Sequence, residues 1–167
     1  MTRAEYNDNI PAWSGHVLRF AVWNCGDRMR GEDAMQEAFT RLWEQRDSVA
    51  VEKGLPYLLT VARRYLVDCF RHDAVAAKAH TEMAKSEDTM TTPGEASLVQ
   101  NDFSDPMVLA LSRLPELQRS IMQLRDVEGY SYKEIAQMLG INENQVQVYL
   151  FRARSTMKKM LTNTGIH

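Results

Sequence analysis

Residues 132–151 read YKEIAQMLGINENQVQVYLF. Two helices joined by a short glycine turn can cross steeply only if three demands are met. The first helix needs a small residue where the second packs on it. The turn needs a residue that tolerates a left-handed backbone. The second helix needs apolar anchors that face back. Ala136, Gly140, and Val146 with Leu150 meet these demands, supported by Ile135, Leu139 and Ile141. Ser131 with Glu134 three residues later is a capping-box pattern, and Asn142 is a cap for the second helix, predicted to end near Leu161. This is the pattern of a helix-turn-helix, whose second helix enters the DNA major groove. Glu143, Asn144, Gln145, Gln147 and Val148, then Tyr149 and Arg152, would face the base edges. Asn and Gln can pair with adenine, and Arg with guanine. Arg154, Lys158 and Lys159 continue the basic side and suit phosphates. An ordinary helical hairpin with a solvated polar face would show the same pattern.

Charge supports the first reading. The net charge of −2 alone points to no nucleic acid, but its distribution is uneven. Residues 107–167 carry eight basic and five acidic side chains, net +3. Residues 79–106 carry six acidic and one basic, net −5, and residues 1–78 balance at 11 of each. A basic end is a pointer to a polyanionic partner. Upstream of the helix-turn-helix, short helices are predicted from about Pro106 to Arg113 and from Pro115 to Gly129. The stretch 79–105 is polar, acidic and rich in Ser and Thr, with a Pro93–Gly94 break. It loses helical periodicity and reads as a flexible linker, although an extension of the preceding helix is the competing reading.

The front half is also helical. A first helix is predicted from about Glu5 to Cys25, with Ile10, Trp13, Val17, Phe20, Ala21 and Asn24 on its apolar stripe and Pro11 as a kink or a true start. A second runs from about Glu32 to Arg46 on Ala34, Met35, Ala38, Phe39, Leu42 and Trp43. After a loop, DSVAVEKG, a third runs from about Leu55 to His72 on Leu58, Val61, Ala62, Tyr65 and Cys69, with Pro56 in its first turn. Trp13 and Trp43 fall on stripes and read as packing; Trp23 lies off-stripe and stays open. The expected fold is all-α: two small helical domains, 1–78 and 106–167, joined by an acidic linker.

Composition narrows the function classes. In 167 residues, 44% hydrophobic and 25% charged, a packed core is expected. No run approaches a membrane span, and MTRAEYNDNIPAW is not a secretory leader, so a cytoplasmic protein is expected. Cys25 and Cys69 make no disulfide framework or CxxC, and the four histidines are scattered, so no metal site is expected. GxGxxG, P-loop, GxSxG and HExxH motifs are all missing. No cofactor and no small-molecule substrate are implied.

LSRLPELQRSIMQLRDVEGYSYKEIAQMLGINENQVQVYLFRARSTMKKML closely resembles region 4 of bacterial sigma factors. The marks are Leu114–Pro115, Arg119, Glu128–Gly129, Tyr132, Glu134-Ile135-Ala136 and Arg152-Ala153-Arg154. GEDAMQEAFTRLWEQRD and GLPYLLTVARRYLVDCFRHD then resemble region 2. Both regions in order, with a short acidic linker, resemble the extracytoplasmic-function (ECF) subfamily of the sigma-70 family.

The resemblance implies that Asp33, Gln36 and Glu37 dock on the clamp helices of core RNA polymerase. They sit opposite the Met35/Phe39/Leu42 stripe, where a solvated face would also put them. It implies that Lys53, Arg63, Arg64, Arg71 and His72 lie near −10 DNA and that the Asp47–Lys53 loop holds a flipped base; Asp68 reads as structural, paired with a neighbouring Arg. Arg64 stands where the family often has Asn. It implies −35 reading by the second helix of the helix-turn-helix, a linker whose Glu87, Asp88 and Glu95 approach basic polymerase channels or act as a plain tether, and an anti-sigma regulator. One departure is Gln147-Val148-Tyr149-Leu150-Phe151, where many members carry basic or hydroxyl residues.

Two rivals stand beside this reading. A free-standing helix-turn-helix regulator would bind a palindromic operator as a dimer. An enzyme could pair Cys69 with His72 on one helix face, but Cys69 falls on the apolar stripe and nothing supplies an oxyanion site.

Overall fold

The first helix begins where Thr2 accepts a hydrogen bond from the Glu5 N–H while the Glu5 carboxylate accepts from the Thr2 N–H, a reciprocal cap. In this computed structural model, which describes residues 1–83 and 105–163, α1 spans Arg3–Cys25 and runs through Pro11. Gly26, at φ 72°, ends it. Asp27 then caps α2 by accepting from the N–H groups of Met29 and Arg30, so α2 runs Arg28–Glu44 and starts four residues before its predicted start. The DSVAVEKG segment is two short 3-10 turns, Arg46–Ser48 and Val51–Lys53, rather than an open loop.

α3 spans Gly54–Met83. It passes its predicted end at His72 because AVAAKAH holds good helix formers and no Gly or Pro, and it takes residues 79–83 from the predicted linker. The rest of that linker, 84–104, lies outside the described residues. Asp105 caps α4 (Pro106–Ser112), and α5 (Glu116–Met122) widens into a π turn at Gln123–Val127. α6 (Tyr132–Leu139) and α7 (Glu143–Asn163) form the helix-turn-helix. The fold is all-α, and no strand occurs among the described residues.

The front helices pack as a three-helix bundle around Val17, Phe20, Ala34, Leu42, Leu58, Leu59 and Leu66. Two glycines permit close approach. A Cβ on Gly31 would meet the Val22 side chain at 2.7 Å, and one on Gly54 would meet the Trp13 ring at 2.3 Å. Trp13 is thus packed as expected, and Trp43 lies edge-on to Tyr6 at 5.0 Å with Arg46 stacked over it. Gly54→Ala would gain helix propensity of about 0.5–1 kcal/mol but must displace the Trp13 ring, an overpacking cost of about 1–3 kcal/mol. A net loss of about 1–2 kcal/mol is expected from its urea midpoint; a gain would mean that Trp13 swings out freely.

The front and back helices also touch. Their buried side chains join one cluster, with Ile121, Leu124, Ile135, Val146 and Leu150 continuing the front set. Trp23, left open by its off-stripe position, packs on Ala110, Leu111, Leu114, Ala153 and Met157. Polar groups line the same seam. Gln123 donates to the Phe20 carbonyl at 3.0 Å and accepts from the Asn24 amide at 2.8 Å. Buried Arg119 donates to the carbonyls of Leu111, Leu114 and Asn24. Glu128 takes Arg19 at 3.0 Å and His16 at 2.9 Å.

Candidate nucleic-acid interface

The helix-turn-helix is built by local chemistry. Ser131 accepts from the Glu134 N–H at 3.1 Å, Gly140 turns the chain at φ 69°, and Asn142 accepts from the Gln145 N–H at 2.7 Å. Ala136, Ile135, Val146 and Leu150 are buried between the helices, as the spacing requires. This burial fixes which face of α7 is left outward.

On that outward face Glu143, Asn144, Gln147 and Arg152 are exposed, Val148 is 46% exposed and Tyr149 half-buried. Asn142, Asn144, Gln145, Val148, Tyr149 and Arg152 line a shallow concavity, with the Arg152 guanidinium 5.8 Å from the Tyr149 ring. Two residues of the predicted set are engaged elsewhere. The Gln145 carbonyl oxygen accepts from the Asn142 N–H at 3.0 Å, completing the cap. Arg154 forks onto Asp126, and that hydrogen bond raises the guanidinium above its ordinary value. Phe151, named in the sequence only as part of a departure from the family and not among the base-facing residues, is 74% exposed on the outward side. Its position between Gln147 and Asn144 in helical phase could have revealed it.

A second polar face lies on α3 and the turn before it. Lys53 and Arg64 are exposed and, with Tyr57 and Thr60, form one wall of a cleft of about 430 Å³ whose other wall is Glu134, Gln137 and Met138 of α6. Tyr57 and Thr60 were not predicted; they lie four and seven residues after Lys53, a helical spacing that places them beside it. Arg63 points to the seam and is held by Glu116 at 2.8 and 2.9 Å. Arg71 and His72 are exposed about two turns further along. Asp68 is exposed and has no ion pair among the described residues; Asp73, five residues further along α3, instead takes Arg30 of the first turn of α2 at 2.7 Å.

On α2, Asp33 and Gln36 are exposed and Glu37 is half-buried, ion-paired to Arg41 at 2.7 Å. The acidic face thus lies opposite the buried Ala34/Ala38/Leu42 stripe.

The thiols differ. Cys25 is buried and donates to the Asp27 carbonyl, and burial pushes its thiol up to about 11. Cys69 is half-buried. Maleimide at neutral pH is expected to modify Cys69 and spare Cys25 in the native protein. Peptide mapping checks this, and equal labelling would mean that the α1 end opens readily. No cluster of metal-ligating side chains occurs, and no helix is long and apolar enough to cross a membrane, among the described residues.

Residues 10–74 match the family model for Sigma-70 region 2, and residues 104–157 match that for Sigma-70, region 4. The chain is 31% identical over 160 residues to the ECF RNA polymerase sigma factor SigM of Bacillus subtilis, covering 90% of this chain and 91% of that protein. It is 26% identical over 170 residues to the ECF RNA polymerase sigma factor SigL of Mycobacterium tuberculosis, covering 99% and 92%. Its fold matches that of the sigma factor RpoE of Bartonella quintana, solved with the anti-sigma factor NepR, at TM-score 0.74 and 20% identity over 94% of this chain and 96% of that one. With both region models matched in order and a relative this similar along its length, the chain belongs to the ECF subfamily of the sigma-70 family, the RNA polymerase sigma factors that direct promoter-specific transcription.

Proposed function

We propose that this chain joins core RNA polymerase through the acidic face of α2 (Asp33, Gln36, Glu37), reads a −35 element with α7, and holds −10 DNA with α3. Asn144, Gln147, Val148, Tyr149 and Arg152 are the reading set; Glu143 starts the helix beside them, and Gln145 sets the cap that aims them. Arg154 braces α7 through Asp126. Lys53, Arg64, Arg71 and His72, with Tyr57 and Thr60, face the −10 strand, and Arg63 joins them when Glu116 lets go. Residues 1–83 and 105–163 work as two units on the two elements. The observation that carries this reading is the outward face of α7, where Asn144, Gln147, Val148, Phe151 and Arg152 are exposed, backed by the buried apolar side chains Val146, Leu150, Ala153 and Met157.

The protein makes and breaks no covalent bonds, since the polymerase does the chemistry. It acts in the cytoplasm, where promoter DNA is. An anti-sigma protein is its expected regulator; RpoE was solved with NepR, and CnrH with the cytosolic domain of CnrY.

The test is reconstitution with bacterial core polymerase and transcription from a promoter library. Selective initiation with two shared sequence elements supports the reading. Absence of polymerase binding, with tight binding to a palindromic duplex, would replace it by a free-standing regulator. In the same assay Arg152→Ala should weaken −35-dependent transcription about 5–150-fold, the worth of one bidentate base contact at ~1–3 kcal/mol. An unchanged promoter profile removes Arg152 from the reading set.

A further inference from the structure

The end of α5 is widened: the Glu128 N–H donates to the Gln123 carbonyl, five residues back, at 2.9 Å. Single widened turns of this kind are frequent at functional sites. Two side chains of the turn reach the helix-turn-helix. Arg125 stacks over the Tyr132 ring at 4.8 Å and donates to the Tyr130 carbonyl at 3.0 Å. Asp126 takes the Arg154 guanidinium of α7 on both carboxylate oxygens, Nε on one at 3.0 Å and Nη2 on the other. The π turn is thus tied to the start of α6 and to the flank of α7.

Arg154 follows Gln147 by seven residues, two turns along the same line of the helix. It therefore stands where a reading helix meets the edge of the groove and its phosphates. Arg152, Lys158 and Lys159 of α7 are also exposed, and none of them has an ion pair among the described residues. Arg154 alone of these four is given a carboxylate.

That carboxylate is a poor device for affinity, because a negative charge at the groove edge repels DNA phosphates. It is also a poor device for folding, because an exposed ion pair adds little stability. What it does give is orientation. The fork consumes Nε and Nη2 and leaves Nη1 out of it, on a side chain that is 49% exposed. A guanidinium held by one edge presents the other in one direction only. An unheld arginine at this place would grasp any phosphate in reach, whatever sequence lay in the groove.

We propose that Asp126 is a positioning residue for promoter reading. It holds Arg154 to one direction at the flank of α7, so that the outer edge of the guanidinium meets a backbone phosphate only when α7 is seated in register on the −35 element. Discrimination between that element and other DNA rises, and bare affinity falls. The proposal rests on the assignment of α7 to −35 DNA.

The experiment is competition binding across a salt series. Holoenzyme made from the full chain and core polymerase is offered a promoter recovered from the library and the same promoter with its −35 element scrambled. Asp126→Asn, a change of nearly constant shape, should bind the scrambled promoter more tightly than wild type does. It should lower discrimination about three- to tenfold, within the range of coupling inside one ion pair. Arg154→Ala should weaken the intact promoter more than the scrambled one and reduce the salt slope on the intact promoter by about 1, as loss of one phosphate contact does. In the Arg154→Ala background, Asp126→Asn should shift both promoters alike and leave discrimination where it is. Urea midpoints verify that each variant folds; a merely structural Asp126 would move the midpoint and not the discrimination. Discrimination unchanged by Asp126→Asn overturns the proposal. So does an equal loss of discrimination in the absence of Arg154, or a salt slope that Arg154→Ala leaves untouched. A wild-type holoenzyme indifferent to the −35 element overturns the assignment of α7 and this proposal with it, whereas failure of the Asp126 variants alone leaves that assignment standing.

Discussion

Arg119→Ala is expected to destabilise the protein by about 3–5 kcal/mol, because one guanidinium serves three buried carbonyls. Arg119 Nε donates to Leu111 at 2.9 Å, Nη2 to Leu114 at 3.0 Å and Nη1 to Asn24 at 2.6 Å. The first two acceptors belong to α4 and the turn after it; the third belongs to the end of α1. Truncation would orphan all three, each in a place that water reaches poorly. Burial pulls the guanidinium below its ordinary value, while Glu116 nearby acts in the opposite direction. The group nevertheless stays cationic, as arginine does in proteins. Arg119→Met restores most of the volume but none of the hydrogen bonds, so it should recover only a minor part of the loss. Arg119→Lys can reach at most part of the acceptor set and should fall between wild type and Ala. Urea midpoints of the four proteins separate packing from carbonyl satisfaction. A Met variant as stable as wild type would mean that the carbonyls find water and that the network adds little.

The contrast between Arg119 and Asn142 shows what a single sequence can disclose. Caps are local: the donor lies two or three residues from the acceptor, so Ser131 and Asn142 could be read from spacing alone. Asp27 and the Thr2–Glu5 box are local patterns of the same kind, each with donor and acceptor two or three residues apart. Arg119 marks family membership in the sequence, but its partners lie eight, five and 95 residues away. Nothing local encodes that network. Arg63 is similar. The family resemblance implies −10 DNA for it, and only the fold, which brings the start of α5 to α3, reveals Glu116 as its partner. The length of α3 is left open by the sequence, which carries an extension past His72 only as the competing reading, because AVAAKAH is helical by propensity rather than by amphipathic pattern. The π turn at Gln123–Val127 has no sequence signal that we can identify. Asn144, Gln147, Val148 and Arg152 were legible as an exposed set because the inward anchors, Val146 and Leu150, were legible first.

Two apolar residues of the helix-turn-helix should therefore fail in opposite ways when truncated. Ile135 on α6 is 0% exposed, in the cluster that also holds Leu124, Val146 and Leu150. Ile135→Ala should cost about 2–5 kcal/mol, the transfer of the lost methyl and methylene groups plus the cavity they leave. Its effect on transcription should follow the folded fraction and be largely relieved by cooling or by a stabilising osmolyte. Val148 is 46% exposed on the outer face of α7 and belongs to neither buried cluster. Val148→Ala should leave the urea midpoint within about 0.5 kcal/mol of wild type, as exposed sites usually do. It should instead change which base is preferred at one −35 position, because an apolar side chain in the major groove is matched to a thymine methyl. Osmolyte should not relieve that change. The pair is read by running unfolding and library transcription on both variants. A Val148→Ala protein with an unaltered promoter profile would place base reading elsewhere on α7. An Ile135→Ala protein that folds normally yet shifts its promoter preference would mean that the cluster sets the angle of α7 rather than its stability.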